Sequence, residues 1–397
     1  MLSERTLAYA QEALAALLGL DALYRRESGD GDGLAVLNLD REGRHRPEGF
    51  ESYEEAAERF TGLSERAGDL PEPDRRVYYQ QLAVSSRAFC AWRAKNLTFE
   101  QQLGRFLHVP VAPASDAELD ALRDGMRTLL TEMGYSGDLR SQCARWEADN
   151  RVPPDEVEGV LNQLLEEAWA RTEDRLLEIP AAPSDGMRAV AITGAAFNAR
   201  CNYAERRVEI NVDPVLTRPA LKHLAVHEGC PGHYVQFKLR ETWGLEGSAP
   251  ADVLVSVVNT ASSSVFEGIA DAGLAMLEWI EDGHDRVQSL MTRYRAGIGT
   301  GAAWRLHALG WPRARVQDWL RDQSLVGGDG WVEGRMAFLE APARAVLIWS
   351  YWWGEPSVLP TWTRVARPER AEFLRYLHGR LHSVDTVSMF RGGPAQN

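Results

Sequence analysis

The sequence predicts a mainly α fold with a small antiparallel β element near residues 187–213. Three observations lead there. Apolar residues recur at three- and four-residue spacing through most of 1–180. A breaker-rich stretch, Ile179-Pro-Ala-Ala-Pro-Ser-Asp-Gly186, is followed by short segments with β-branched or alternating positions. Helical spacing then resumes near Pro219 and holds to about Leu381.

Taken in order, Leu2 to Leu18 reads as an amphipathic helix, and Asp74 to Leu107 as a longer helical stretch. Ser115-Asp-Ala-Glu118 is a capping-box start for the next helix. Pro153-Pro154 opens another, running through Leu164, Leu165 and Trp169 to Leu177. Met187–Thr193, Phe197–Tyr203 and Arg207–Val212 are the expected strands. Helices follow over about 219–243, 251–281, 285–309, 312–321, 333–353 and 368–381. The composition change near residue 185 suggests a helical scaffold region, 1–185, and a chemistry-bearing region, 186–397. Eight of the 13 tryptophans lie after residue 303, either packing a helical core or lining a pocket there.

The chain has 397 residues, 44 Lys and Arg against 57 Asp and Glu, and a formal net charge of -13. That balance argues against nucleic acid as a partner, since nucleic-acid binders present a concentrated basic face. Four cysteines without a C-x-x-C pair do not read as a disulfide framework. The first 26 residues carry charges through their apolar stripe and read as a helix rather than a signal peptide. No apolar run approaches the roughly 20 residues needed to span a bilayer. The expectation is a soluble, cytoplasmic protein with no membrane partner, acting on a small molecule or a short peptide.

Chemistry concentrates in His223-Leu-Ala-Val-His227-Glu228-Gly-Cys-Pro-Gly-His233-Tyr-Val-Gln236. Two histidines bracketing a carboxylate suggest a metal site of the H-E-x-x-H kind, but here they stand six apart rather than four. On an unbroken helix six residues turn through about 600°, so the rings would diverge. Gly229, Pro231 and Gly232 allow a re-aimed turn that returns His233 to the same metal. A catalytic zinc commonly takes three protein ligands, and Glu267, on the next expected helix, is the best third. Asp271, one turn further, would orient a ligand histidine. Glu228 is then left as general base on an activated water. His223 lies one turn before His227 and competes with His233 as a ligand, with a place in the core as its alternative. Cys230 points from the breaker turn and is the weaker candidate. Zinc is the expected cofactor, although two His and one carboxylate also serve iron, and manganese is a further alternative.

The pattern H-E-x-x-P-G-H-x-x-Q followed by E-G-x-A resembles the DUF885 family of zinc-metallopeptidase-like proteins. The matching residues are His227, Glu228, Pro231, Gly232, His233 and Gln236, then Glu267, Gly268 and Ala270. Leu306-His307-x-x-Gly310-Trp311 and Tyr351-x-x-Gly354 are similar to two further family elements, and His378 to a late one. The resemblance covers roughly residues 205–397. It implies a mainly helical hydrolase with zinc on His227, His233 and Glu267 and with Glu228 as base. The chain departs from the family pattern at Ile269, at Ala303 and at Ala345-Val-Leu347, where the family's P-G-Q would stand, and it is shorter.

His307 and Tyr351 are candidates to stabilise an oxyanion or hold a substrate carboxylate, with packing as the plainer reading. Arg335 and Arg344 could clamp a carboxylate bidentately or merely pair with Glu333 or Glu340. The functional expectation is zinc-dependent hydrolysis of an amide or peptide bond. The alternative is a metal-dependent enzyme that tailors a small molecule by elimination, rearrangement or hydrolysis, which the shortened chain and missing P-G-Q favour. A catalytically dead binding protein is a third reading, against which the retained Glu228 argues.

Overall fold

A computed structural model describes residues 2–28, 35–195, 197–341 and 344–392. The fold is mainly α, as the apolar spacing predicts. The chain forms two compact units. One comprises Met1–Val111, Gln236–Gly268 and Trp353–Asn397; the other comprises Ala112–Val235 and Ile269–Trp352. Three of the divisions fall inside the continuous helices His233–Leu245, Ser263–Asp271 and Ile348–Arg364. Among the described residues, no helix is long and apolar enough to cross a membrane. All four cysteines are free thiols.

In the first unit the long expected helix over 74–107 is two helices, Pro73–Arg93 and Phe99–Leu107. The break is local chemistry. Lys95 has a left-handed φ of 59°, and Thr98 then caps the second helix in a reciprocal box with Gln101. Helix Tyr53–Ala67, which the sequence reading did not single out, packs along Pro73–Arg93.

The expected helix over 251–281 is also corrected. Ala251–Leu254 is a single 3₁₀ turn, and Val255–Val257 is a strand pairing antiparallel with Ala35–Asn38. Val253, Val255 and Val257 are β-branched, and a partner more than 200 residues away in sequence supplies the ladder. Helix follows at Ser263–Asp271, with a further short helix at Gly273–Met276. The helix expected over 333–353 is split as well, into Gly328–Glu340 and Ile348–Arg364.

Asp252 lies wholly buried in this unit and accepts a hydrogen bond from the Tyr79 hydroxyl at 3.2 Å. Burial pushes its carboxyl up to about 6, against the opposing pull of Arg75, the Tyr79 hydrogen bond and Arg240. A raised folded-state value makes the stabilising contribution complete below the unfolded value near 4 and lost as pH rises through 6. Between pH 4 and 7 the wild type should therefore lose about 2 kcal/mol of stability relative to Asp252→Asn. Urea unfolding of both proteins across that range checks this; parallel pH profiles would refute it.

In the second unit, strands Arg188–Ile192, Ala199–Asn202 and Arg207–Asn211 lie where the alternation predicts. The sheet is mixed, however, rather than antiparallel. Arg207–Asn211 is central, antiparallel to Ala199–Asn202 and parallel to Arg188–Ile192. Two successive chain reversals leave the first and third strands running the same way, so when they become neighbours they pair in parallel. Helix Val157–Arg175 backs the sheet, and its Asn162 and Glu158 side chains accept the Ala189 and Ala191 backbone N–H groups at 2.9 and 3.2 Å. Leu165 of that helix reaches the turn that carries the H-E motif.

Candidate metal centre

The expected helix over 219–243 is interrupted where the motif requires it. Arg218–Leu224 is α-helical with Thr217 as N-cap, Ala225–Gly229 forms a single π turn, and α-helix resumes at His233. A π turn inserts a residue into the helical ladder and turns the following side chains away from their α positions. The reversal is then closed by Gly232, whose N–H donates to the Val226 carbonyl at 3.0 Å. A Cβ at 232 would collide with the carbonyl oxygens of Val226 and His227, so only glycine fits.

The result answers the six-residue spacing. The His227 and His233 rings meet edge to face with centroids 4.6 Å apart. Both residues are only 7% exposed, and Glu228 between them is 6% exposed. His227 Nδ1 lies 2.9 Å from Asp271 Oδ1. Donation of Nδ1–H to that carboxylate fixes the tautomer and leaves the Nε2 lone pair for a metal, the arrangement typical of metal-ligating histidines. His223 approaches the same oxygen from 3.6 Å. Burial pushes His223 down to about 4, with Asp271 pulling it back and His227 adding to the fall, so it is neutral at pH 7.

Two donor groups result. His227, His233 and Glu267, all buried, place ligand atoms within 4.8 Å of one another; His223, His227 and Asp271 do the same. They compete for His227. Since Nδ1 is engaged with Asp271, its remaining nitrogen suits the first group, and Asp271 becomes a positioning residue. Glu267 stands one turn before Asp271 on helix Ser263–Asp271, so the helix itself spaces them. Gln236 Nε2 donates to the Phe266 carbonyl at 3.1 Å, tying the helix after His233 to the one bearing Glu267.

Some contributors carried no legible signal in the sequence. Lys222 is buried beside His223, its Nζ 2.6 Å from Asp285 Oδ2, 2.9 Å from Glu281 Oε2 and 4.7 Å from the Trp279 ring. It anchors the helix that leads into the π turn. Cys201, on the middle strand in sequence, interacts electrostatically with Glu228 and Cys230. Burial above all pushes both thiols up, which disfavours the thiolate a metal would need.

His307 lies in a second π turn, Trp304–Ala308, is exposed, and donates Nε2–H to the Leu339 carbonyl at 2.8 Å. Tyr351 is half-buried, its ring 6.2 Å from Phe338. Arg335 is half-buried between aromatic rings, whereas Arg344 is exposed. Trp331, Trp349, Trp352 and Trp362 are buried, as core packing requires.

No protein-family model matches the sequence, and no curated protein does. Among solved structures the chain is similar to a "putative lipoprotein" from Colwellia psychrerythraea, with TM-score 0.56 and 14% identity over 84% of this chain and 65% of that one. It is also similar to a "putative lipoprotein of unknown function" from Shewanella oneidensis, with TM-score 0.51 and 14% identity over 85% of this chain and 72% of that one. The chain thus spans less than two thirds of the first of these, and at such identity the likeness is one of fold.

Proposed function

We propose that this protein is a metal-dependent hydrolase of amide or peptide bonds, of the DUF885-like kind, with zinc held by His227, His233 and Glu267. The observation that carries the reading is the paired, buried His227 and His233 rings, with His227 Nδ1 held by Asp271. A bound zinc supplies Lewis acidity, polarising a carbonyl and making water a nucleophile at neutral pH. Glu228, next to a ligand histidine and buried, takes the proton from the attacking water and returns it to the leaving amine. Asp271 keeps His227 in the tautomer with Nε2 unprotonated. Retention of a carboxylate at 228 supports catalysis over a purely structural metal.

Metal content of the purified chain, measured by mass spectrometry beside His233→Ala and Glu228→Gln, tests this. About one zinc per chain is expected, lost in His233→Ala and kept in Glu228→Gln, with turnover of short peptides or N-acyl amino acids absent from both variants. Iron or manganese in place of zinc would favour the small-molecule tailoring activity. No metal after reconstitution would overturn both.

A further inference from the structure

The second unit carries a pair of half-buried arginines on one indole, outside the histidine cluster. Arg335, on helix Gly328–Glu340, has a guanidinium whose carbon lies 5.6 Å from the Trp331 ring centroid and 5.5 Å from that of Phe338. Its Nε is buried without a hydrogen-bond partner, and among the described residues none forms an ion pair with Arg335. Arg295 stands on the same indole, its guanidinium carbon 5.1 Å from the Trp331 centroid and its Nη2 donating to the Val326 carbonyl.

The carboxylate of Glu147 answers Arg295, and among the described residues none is set against Arg335. Glu147 attracts Arg295, while its Oε1 accepts the Gly327 N–H at 2.8 Å. Two guanidinium groups against one carboxylate leave one positive charge uncompensated where water is scarce, an expensive arrangement without an anion. Burial pushes Arg295 down to about 10, with Glu147 opposing and Arg335 adding to the fall. Tyr351 interacts with Arg335 from the following helix, where a phenol can donate to an anion.

We infer that Arg335, beside Tyr351 and walled by Trp331 and Phe338, is the receptor for a carboxylate group on a small ligand. The charge surplus of one matches a monoanion, and a doubly charged phosphate would overshoot it. A planar carboxylate fits the guanidinium fork in two parallel hydrogen bonds. The aromatic walls favour a group attached to an apolar body. That the carboxylate belongs to the substrate, as in an N-acyl amino acid or the last residue of a short peptide, rests on the hydrolase reading; the anion site itself does not.

Thermal unfolding of the full chain in acetate, in neutral acetamide and in phosphate, at ionic strength matched with chloride, tests the site. Acetate should raise the Tm of the wild type by about 2 °C over acetamide, with the larger shift at higher concentration. Arg335→Met should abolish the difference, and Arg335→Lys, which keeps the charge but loses the fork, should at least halve it. Glu228→Gln should keep the full shift, which separates this site from the hydrolase reading. Equal Tm in acetate and acetamide would overturn the inference, as would a full acetate shift in both Arg335 variants. A phosphate effect as large as that of acetate would overturn the carboxylate assignment.

Discussion

Gly232→Ala is expected to abolish the proposed metal binding and to destabilise the protein by about 3–5 kcal/mol. The methyl group would fall onto the carbonyl oxygens of Val226 and His227, both backbone atoms of the π turn. No rotamer change relieves such a contact, so the turn must open. Opening breaks the Gly232 N–H to Val226 hydrogen bond and separates His227 from His233. Gly229→Ala is the matched control. Its Cβ would meet only the Leu165 Cδ2 methyl, at 2.7 Å, a side-chain atom that can yield. That variant should cost about 1 kcal/mol and keep its metal. Urea unfolding with metal analysis compares the two; wild-type metal content in Gly232→Ala would show that the turn does not hold the histidines together.

The second large effect is expected at Gly268→Ala. Gly268 on helix Ser263–Asp271 faces Gly354 on helix Ile348–Arg364, and a Cβ at 268 would overlap the Gly354 carbonyl. From the other side, a Cβ on Gly354 would lie 2.8 Å from Gly268 N and 2.9 Å from the Ser264 carbonyl oxygen. Two helices crossing backbone to backbone cannot admit a methyl group without moving apart. Because Glu267 immediately precedes the crossing, displacement should weaken the proposed zinc binding at least tenfold and lower stability by about 2–4 kcal/mol. Competition with a chelator gives the affinity. An unchanged affinity in a destabilised variant would detach Glu267 from the crossing and weaken its case as a ligand.

That crossing also explains something the sequence displayed without interpreting. E-G-x-A at 267–270 and Y-x-x-G at 351–354 read as separate elements of a family resemblance, yet their glycines are one contact. The mainly α class, the three strand positions and the break between His227 and His233 were all legible, because each is written in local spacing or in glycine and proline. The strand Val255–Val257 was not, since its ladder is supplied by Ala35–Asn38 and helical spacing in 251–281 masks it. Nor was the parallel pairing of the sheet's first strand, which depends on where a crossing connection returns. Asp271 was readable from its place one turn after Glu267. Lys222 was not, because nothing local announces that a lysine is buried against Asp285.

The π turn at Ala225–Gly229 has a further consequence for how this centre can change over generations. An extra residue in a helical ladder is an insertion, and no exchange of one side chain for another removes it. A one-codon deletion there would shorten the segment that brings His233 back to His227, and a side chain at 232 would open it. The histidine pair therefore depends on the length of the turn as well as on the residues that close it.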